Sequence, residues 1–238
     1  KINYLFHSGF AVETENYLLI FDYYMDNVDS GSKCIANGAI GERDLDTKKP
    51  IIVFSSHSHG DHFNPVILEW CNLNNDIKYV LSSDIKVDTT SHSIYKIAAY
   101  EELAFGDIKV KAYGSTDIGV SYFVIVDGVK IFHAGDLNWW YWWDDTEEEI
   151  RKAEKWFKEE IEKIKGENID IAFFPVDPRL EHNYHVGGEC FIKELTPVNF
   201  IPMHFGEEYS ITKSFNEKMK NSSTEIVEIQ NRGQEINL

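Results

Sequence analysis

Apolar positions follow two periods along this chain. Short apolar or alternating runs occupy residues 2–6 (Ile-Asn-Tyr-Leu-Phe), about 10–13, and 17–21 (Tyr-Leu-Leu-Ile-Phe), broken by His7-Ser8-Gly9 and by Glu13-Thr14-Glu15-Asn16. Runs of this length between turn residues predict a β-meander. Similar runs at 51–54, 77–81, 107–113, 119–126, 129–132, 169–176 and 199–203 predict further strands, and Asp127-Gly128 predicts a two-residue hairpin. The helical period is clearest after Thr146-Glu147-Glu148-Glu149, a capping box, where Ile150, Ala153, Trp156, Phe157, Ile161 and Ile164 form a stripe ending near Lys165-Gly166. Shorter helices are expected at about 65–73, behind Asn64-Pro65, at 189–195 and at 211–220, with a last strand at about 224–229. Residues 27–49 are polar and carry Gly31, Gly38 and Gly41, so they read as a long loop. Strand clusters interleaved with helices predict an α/β chain of two sheets covered by helices, organised as one domain over 1–238.

The totals narrow the class. A length of 238 residues, 43% hydrophobic and 14% aromatic, predicts a packed globule with a sizeable core. The net charge of −17 serves solubility and repels phosphate backbones and anionic membranes, so neither nucleic acid nor membrane is expected as a partner. Cys34, Cys71 and Cys190 are odd in number and widely spaced, which favours a reducing, cytoplasmic setting over a disulfide framework. No apolar run approaches the length of a membrane span, and no charged-then-apolar leader opens the sequence. Self-association into a homo-oligomer is left open.

Chemistry concentrates in Ser55-Ser56-His57-Ser58-His59-Gly60-Asp61-His62, directly after the 51–54 run. Neutral imidazole and carboxylate form the ligand set of zinc, iron or manganese. His57 and His59 alternate and share a direction in an extended loop, while Gly60 permits a turn that brings Asp61 and His62 in from another side. This HxHxDH spacing resembles the metallo-β-lactamase superfamily. The likeness extends to Asp22 at a strand end, to His133-Ala134-Gly135-Asp136 and to Ile201-Pro202-Met203-His204-Phe205-Gly206. With His7-Ser8-Gly9-Phe10, these segments are most similar to its ascorbate-phosphate-lactonase-like branch of metal-dependent hydrolases.

The resemblance implies a four-layer αββα sandwich of two mixed sheets flanked by helices. It also implies one or two divalent ions, zinc first with manganese or iron as alternatives. His57 and His59 would hold the first ion, Asp61, His62 and His204 the second, and Asp136 would bridge them, with Asp22 buttressing the loop. A hydroxide activated between the ions would attack a small ester, lactone or phosphoester. A ribonuclease Z type phosphodiesterase and a degenerate, non-catalytic metal-binding member are the alternatives. Asp61 and His185 stand as catalytic candidates, and His7, Trp139, Trp140 and Arg179 as substrate contacts. Trp139 and Trp140 belong to the aromatic run Trp139–Trp143, which reads either as a pocket wall or as a hydrophobic plug. One part departs from the family: the loop Tyr113-Gly114-Ser115-Thr116-Asp117 carries no histidine where relatives supply a third imidazole to the first ion. Asp117, His7 or His185 could replace it, and a weaker first site is expected.

Overall fold

The computed structural model describes residues 1–88 and 93–238. Its contacts divide the chain into two units, Lys1–Ala98 with Gln230–Leu238, and Ala99–Ile229. Each unit is built on one seven-stranded mixed sheet.

In the first unit, β1 (Ile2–Phe6), β2 (Gly9–Glu13) and β3 (Leu18–Phe21) form the predicted antiparallel meander. Then β4 (Ile51–Ser55), β5 (Lys78–Ser82) and β6 (Ile94–Ile97) are added in parallel. All five residues of β4 are buried, as its uniformly apolar run requires of a central parallel strand. Phe54 stacks on Phe21 of β3 with centroids 4.7 Å apart. Ile20, Val53, Tyr79 and Leu81 share a core with Ile67 and Trp70. Removing a buried aromatic such as Phe54 to Ala typically costs about 3–5 kcal/mol.

Two local expectations change here. The 27–49 segment is not bare loop: it holds a short turn at Ile35–Asn37 and the one-turn helix α1 (Glu42–Leu45), tied together by the Asp44 carboxylate, which accepts the N–H groups of Ile35 and Gly41. The helix expected at 65–73 is a tighter 3-10 helix, Pro65–Asn72, with the Asn64 side chain accepting from Val66 N–H. β-branched Val66 and Ile67 directly behind Pro65 disfavour a regular first α-turn.

In the second unit, β7 (Glu102–Phe105), β8 (Ile108–Tyr113), β9 (Ser121–Val126) and β10 (Val129–His133) are antiparallel, and β11 (Ile171–Pro175), β12 (Asn199–Met203) and β13 (Glu225–Ile226) continue in parallel. Asp127 and Gly128 take φ of 49° and 78°, which makes the predicted hairpin turn between β9 and β10. The helix α2 (Glu147–Ile164) starts at the Thr146 capping box and buries Phe157, Ile161 and Ile164. It is followed by α3 (Val186–Leu195), which begins three residues earlier than expected, and by α4 (Ser210–Met219). The expected strand at 224–229 shortens to β13. A two-residue β14 (Glu235–Ile236) pairs with β1 in the first unit. The fold class expected from the sequence, two mixed sheets with helices, is the one observed. No helix among the described residues is long and apolar enough to cross a membrane.

Candidate metal centre

The chemistry-bearing residues follow the C-terminal ends of strands, where open α/β sheets place their ligand sites. In the first unit Asp22 follows β3, the 56–62 loop follows β4 and His7 follows β1. Asp22 is fully buried at φ 40°, a conformation that costs a non-glycine residue energy and is retained where the surroundings dictate it. Its carboxylate accepts from Ser56 N–H at 2.7 Å, from Ser56 Oγ at 2.6 Å and from His62 Nδ1 at 2.7 Å. Because Ser56 Oγ donates to Asp22, its oxygen is left to accept from His57 Nδ1 at 3.0 Å. Both rings are therefore anchored through Nδ1, which makes Nε2 the candidate ligand atom of each.

His57 Nε2 lies 3.1 Å from His59 Nδ1. Two nitrogens about 2.0–2.1 Å from one ion stand about 2.8–3.4 Å apart at octahedral to tetrahedral angles, so the pair fits a shared cation. Donor atoms of His7, Asp61 and His62 lie within 4.8 Å of one another, with His7 Nε2 3.6 Å from Asp61 Oδ2. His7, expected as a substrate contact, thus stands among the donors. The loop has one more anchor: Ser58 N–H donates to Asp84 Oδ2 at 2.8 Å. Burial pushes the Asp84 carboxyl up, but the hydroxyl of Ser82 and the hydroxyl and N–H of Ser58 outweigh it and hold the pKa below the usual value.

In the second unit Asp136 follows β10, Asp177 follows β11 and His204 follows β12. His204 is buried at φ 66°, with Nε2 3.3 Å from Asp136 Oδ1, again the separation of two ligands on one ion. Its Nδ1 lies 2.9 Å from the fully buried Asp177 carboxylate. Arg179 pairs with Asp177 through Nε and Nη2, at 3.0 and 2.6 Å. Burial pushes the Asp177 carboxyl up, but His204 and Arg179 outweigh it and bring its pKa down to about 2. Arg179 is therefore held in an ion pair while its side chain stays 60% exposed.

The tryptophans divide. Trp140 stands edge-on to His204 at 5.5 Å, donates Nε1–H to the Asp136 carbonyl at 3.1 Å and stacks on Trp142. Trp139 turns to α2 instead, against Phe157 and beneath Lys158, in the manner of a plug. His133 accepts the Gly135 N–H through Nδ1 at 3.2 Å and so shapes the turn that carries Asp136. His185 stands at the N-terminal boundary of α3 without a side-chain capping bond, and its Nδ1 lies 3.0 Å from Glu189 Oε2, beside the Tyr184 ring. Burial first, and Lys218 next, lower its pKa below 6.5.

The missing imidazole has a steric explanation. A Cβ at position 114 would lie 2.4 Å from Glu160 Oε2 and 2.7 Å from Tyr100 Oη, and Glu160 is buried and held by Tyr100 and Lys163. A side chain there would have to displace both groups. Ser115 is buried and its hydroxyl accepts the Asp117 N–H, turning the chain so that carboxylate oxygens of Asp117 and Asp136 come within 4.8 Å of one another.

The beta-lactamase superfamily domain matches residues 1–147, more than half of the chain and including the whole 57–62 loop and Asp136. The chain belongs to the beta-lactamase superfamily. No curated protein sequence matches it. Solved structures with the superfamily's fold align along nearly its whole length. A candidate metal-dependent hydrolase from Parabacteroides distasonis is 16% identical with a TM-score of 0.64, over 96% of this chain and 93% of the other. Igni18, a metallo hydrolase from Ignicoccus hospitalis, is 16% identical with a TM-score of 0.63, over 96% of each chain. CmlA, a diiron β-hydroxylase from Streptomyces venezuelae, is 11% identical with a TM-score of 0.56, over 87% of this chain and 45% of the other. At these identities the likeness is one of fold. The sequence pattern gave no sign of the contact from Asp84 to Ser58 or of the buttressing of His204 by Asp177.

Proposed function

We propose that this chain is a metal-dependent hydrolase of small molecules, with an ester, lactone or phosphoester as substrate. The observation that supports this reading most is the paired donor spacing inside each unit, 3.1 Å for His57 and His59 and 3.3 Å for Asp136 and His204, with buttressed imidazoles. On the superfamily resemblance, both sets of donors are proposed to serve the same ions. His57, His59, Asp136 and Asp117 would hold the first, and Asp61, His62, His204 and Asp136 the second, with His7 at its edge. Asp117 is chosen over His185 because it shares its carboxylate spacing with Asp136, whereas His185 engages Glu189.

Divalent ions held there supply a Lewis acid and an activated water. The chain's own groups do the rest. Asp61, whose side chain is 45% exposed, takes up the proton of the attacking water, and His7 beside it relays a proton to the leaving oxygen. Trp140 walls the approach to His204, and Arg179 places a cation near it for a carboxylate or phosphate on the substrate. Two carboxylates beside two imidazoles make the first site harder than a three-histidine site, so manganese and iron compete with zinc there. Three cysteines, all free, fit a reducing, cytoplasmic setting.

The test is a panel of lactones, thioesters, phosphodiesters and β-lactams assayed with Zn²⁺, Mn²⁺ and Fe²⁺. At least one metal-dependent activity is expected, and Asp136→Ala should reduce it to background. Retained turnover in that variant would refute the bridging role, and no turnover with any pair would favour a non-catalytic metal-binding protein.

A further inference from the structure

The loop that carries His57, His59, Asp61 and His62 leaves β4 between two parallel neighbours, β3 and β5. The β3 side holds it through Asp22, which engages Ser56 and His62. The β5 side holds it through Asp84, two residues beyond the last residue of β5, whose Oδ2 accepts the Ser58 N–H at 2.8 Å. Ser58 is the one residue between His57 and His59. Its peptide orientation decides whether the two flanking side chains converge, because rotating it swings both Cα–Cβ bonds. Ser58 and His59 are exposed, so packing does little to fix that peptide.

The Asp84 turn is itself clamped. Ile85 N–H donates to the Ser82 carbonyl at 3.1 Å, and Ser83 N–H donates to the Ile97 carbonyl at 2.9 Å. Lys96, on β6, donates Nζ to the Ser82 carbonyl at 2.8 Å and to the Ile85 carbonyl. A rigid sheet edge thus presents one carboxylate oxygen to one backbone N–H in the middle of the HxH pair.

We propose that Asp84 is a positioning residue that presets the spacing of His57 and His59, and so sets the affinity of the ion those two share without touching it. This rests on the metal-binding reading above. His62 is anchored independently by Asp22, so the second ion does not depend on Asp84. Groups that orient metal ligands from outside typically change metal affinity by about 10–100-fold when removed. A loop that must be ordered on binding loses affinity in the same direction.

The experiment is a competition titration of the metal-free protein with Co²⁺ against a chromophoric chelator, following the d–d spectrum. His59→Ala identifies the uptake step that belongs to the His57/His59 ion. Asp84→Ala should weaken that step by about 10–100-fold, leave the other step in place and alter the d–d band of the first ion. Asp84→Asn, which keeps an acceptor oxygen for Ser58 N–H, should recover most of the affinity. Melting curves of the metal-free variants guard against a folding defect. A wild-type titration in Asp84→Ala overturns the proposal, as does an equal loss in both steps accompanied by a lower melting point. Failure of the wild-type chain to take up any ion would overturn the metal-binding reading itself, and this inference with it.

Discussion

An imidazole that ligates a metal must present one nitrogen and dispose of the other. Two candidate ligands are held in the same way, with Asp22 on His62 Nδ1 at 2.7 Å and Asp177 on His204 Nδ1 at 2.9 Å. Both carboxylates are buried, so each bond acts in a low dielectric and fixes both tautomer and ring angle. Asp177→Asn should therefore lower metal affinity by about 10–100-fold, read by chelator competition. An unchanged affinity would show that Arg179 alone can seat the ring. A second residue-level expectation concerns His185. Its folded pKa lies below 6.5 through burial, Lys218 and His182, against the opposing pull of Glu189. The unfolded chain then binds this proton first as pH falls, so the stabilisation is complete above pH 6.5 and declines below it. Urea unfolding at about pH 7.5 and about pH 5.5 should show a smaller loss in His185→Gln than in the parent, and equal losses would refute the linkage. Residues of this kind differ in how visible they are along the chain. His57, His59, Asp61 and His62 are legible because their geometry is local. Asp84 meets Ser58 across 26 positions only because β4 and β5 pair, and Gly114 is crowded only because α2 brings Glu160 onto it.

Strands and helices differ in the same respect. The span of α2 was legible, since its cap and apolar stripe are written within 19 consecutive residues, Thr146 to Ile164, but Trp156, expected on the stripe, is 47% exposed and Glu160 is buried in its stead. The Thr146 hydroxyl accepts the Glu149 N–H while Glu149 returns a carboxylate to the Thr146 N–H. Thr146→Ala should cost about 1 kcal/mol in urea unfolding, and a loss below about 0.3 kcal/mol would show that packing of Phe157 and Ile161 alone carries the helix start. The strands β6, β7 and β14 went unread, being two to four residues long and placed by pairing with β5, β8 and β1. What the elements add to the site is direction. Parallel strands β3 to β5 in one sheet and β10 to β12 in the other deliver Asp22, His57, Asp84, Asp136, Asp177 and His204 at their C-terminal ends. Asp22 and His204 leave their strands in the left-handed region, at φ 40° and 66°, a conformation the surrounding structure must hold in place.

At the scale of the whole chain, the net charge of −17 makes the native state self-repelling, and strand-end loops hold Asp22, Asp61 and Asp84 in the first unit and Asp117, Asp136 and Asp177 in the second. Divalent cations bound only by the native state relieve this and add stability by mass action, about 2.7 kcal/mol for each site at a free concentration 100 times its Kd. For a chain of this length each kcal/mol moves the melting temperature by about 2–4 °C, so stripping one firmly held ion should lower it by about 5–11 °C. The two ions should not leave together. On the proposed ligand assignment, with the exposed Asp117 in place of an imidazole, the first site should be the weaker, and mild chelation should leave near one equivalent by metal analysis. Stronger chelation should remove the rest and produce most of the fall in melting temperature, reversed by adding Zn²⁺ or Mn²⁺. Asp136→Ala, lacking the proposed bridge, should melt at nearly the same temperature with or without chelator. Two equivalents that resist chelation equally would show that Asp117 is a full substitute for the absent histidine, and a melting temperature indifferent to chelation would deny the native state its ions altogether.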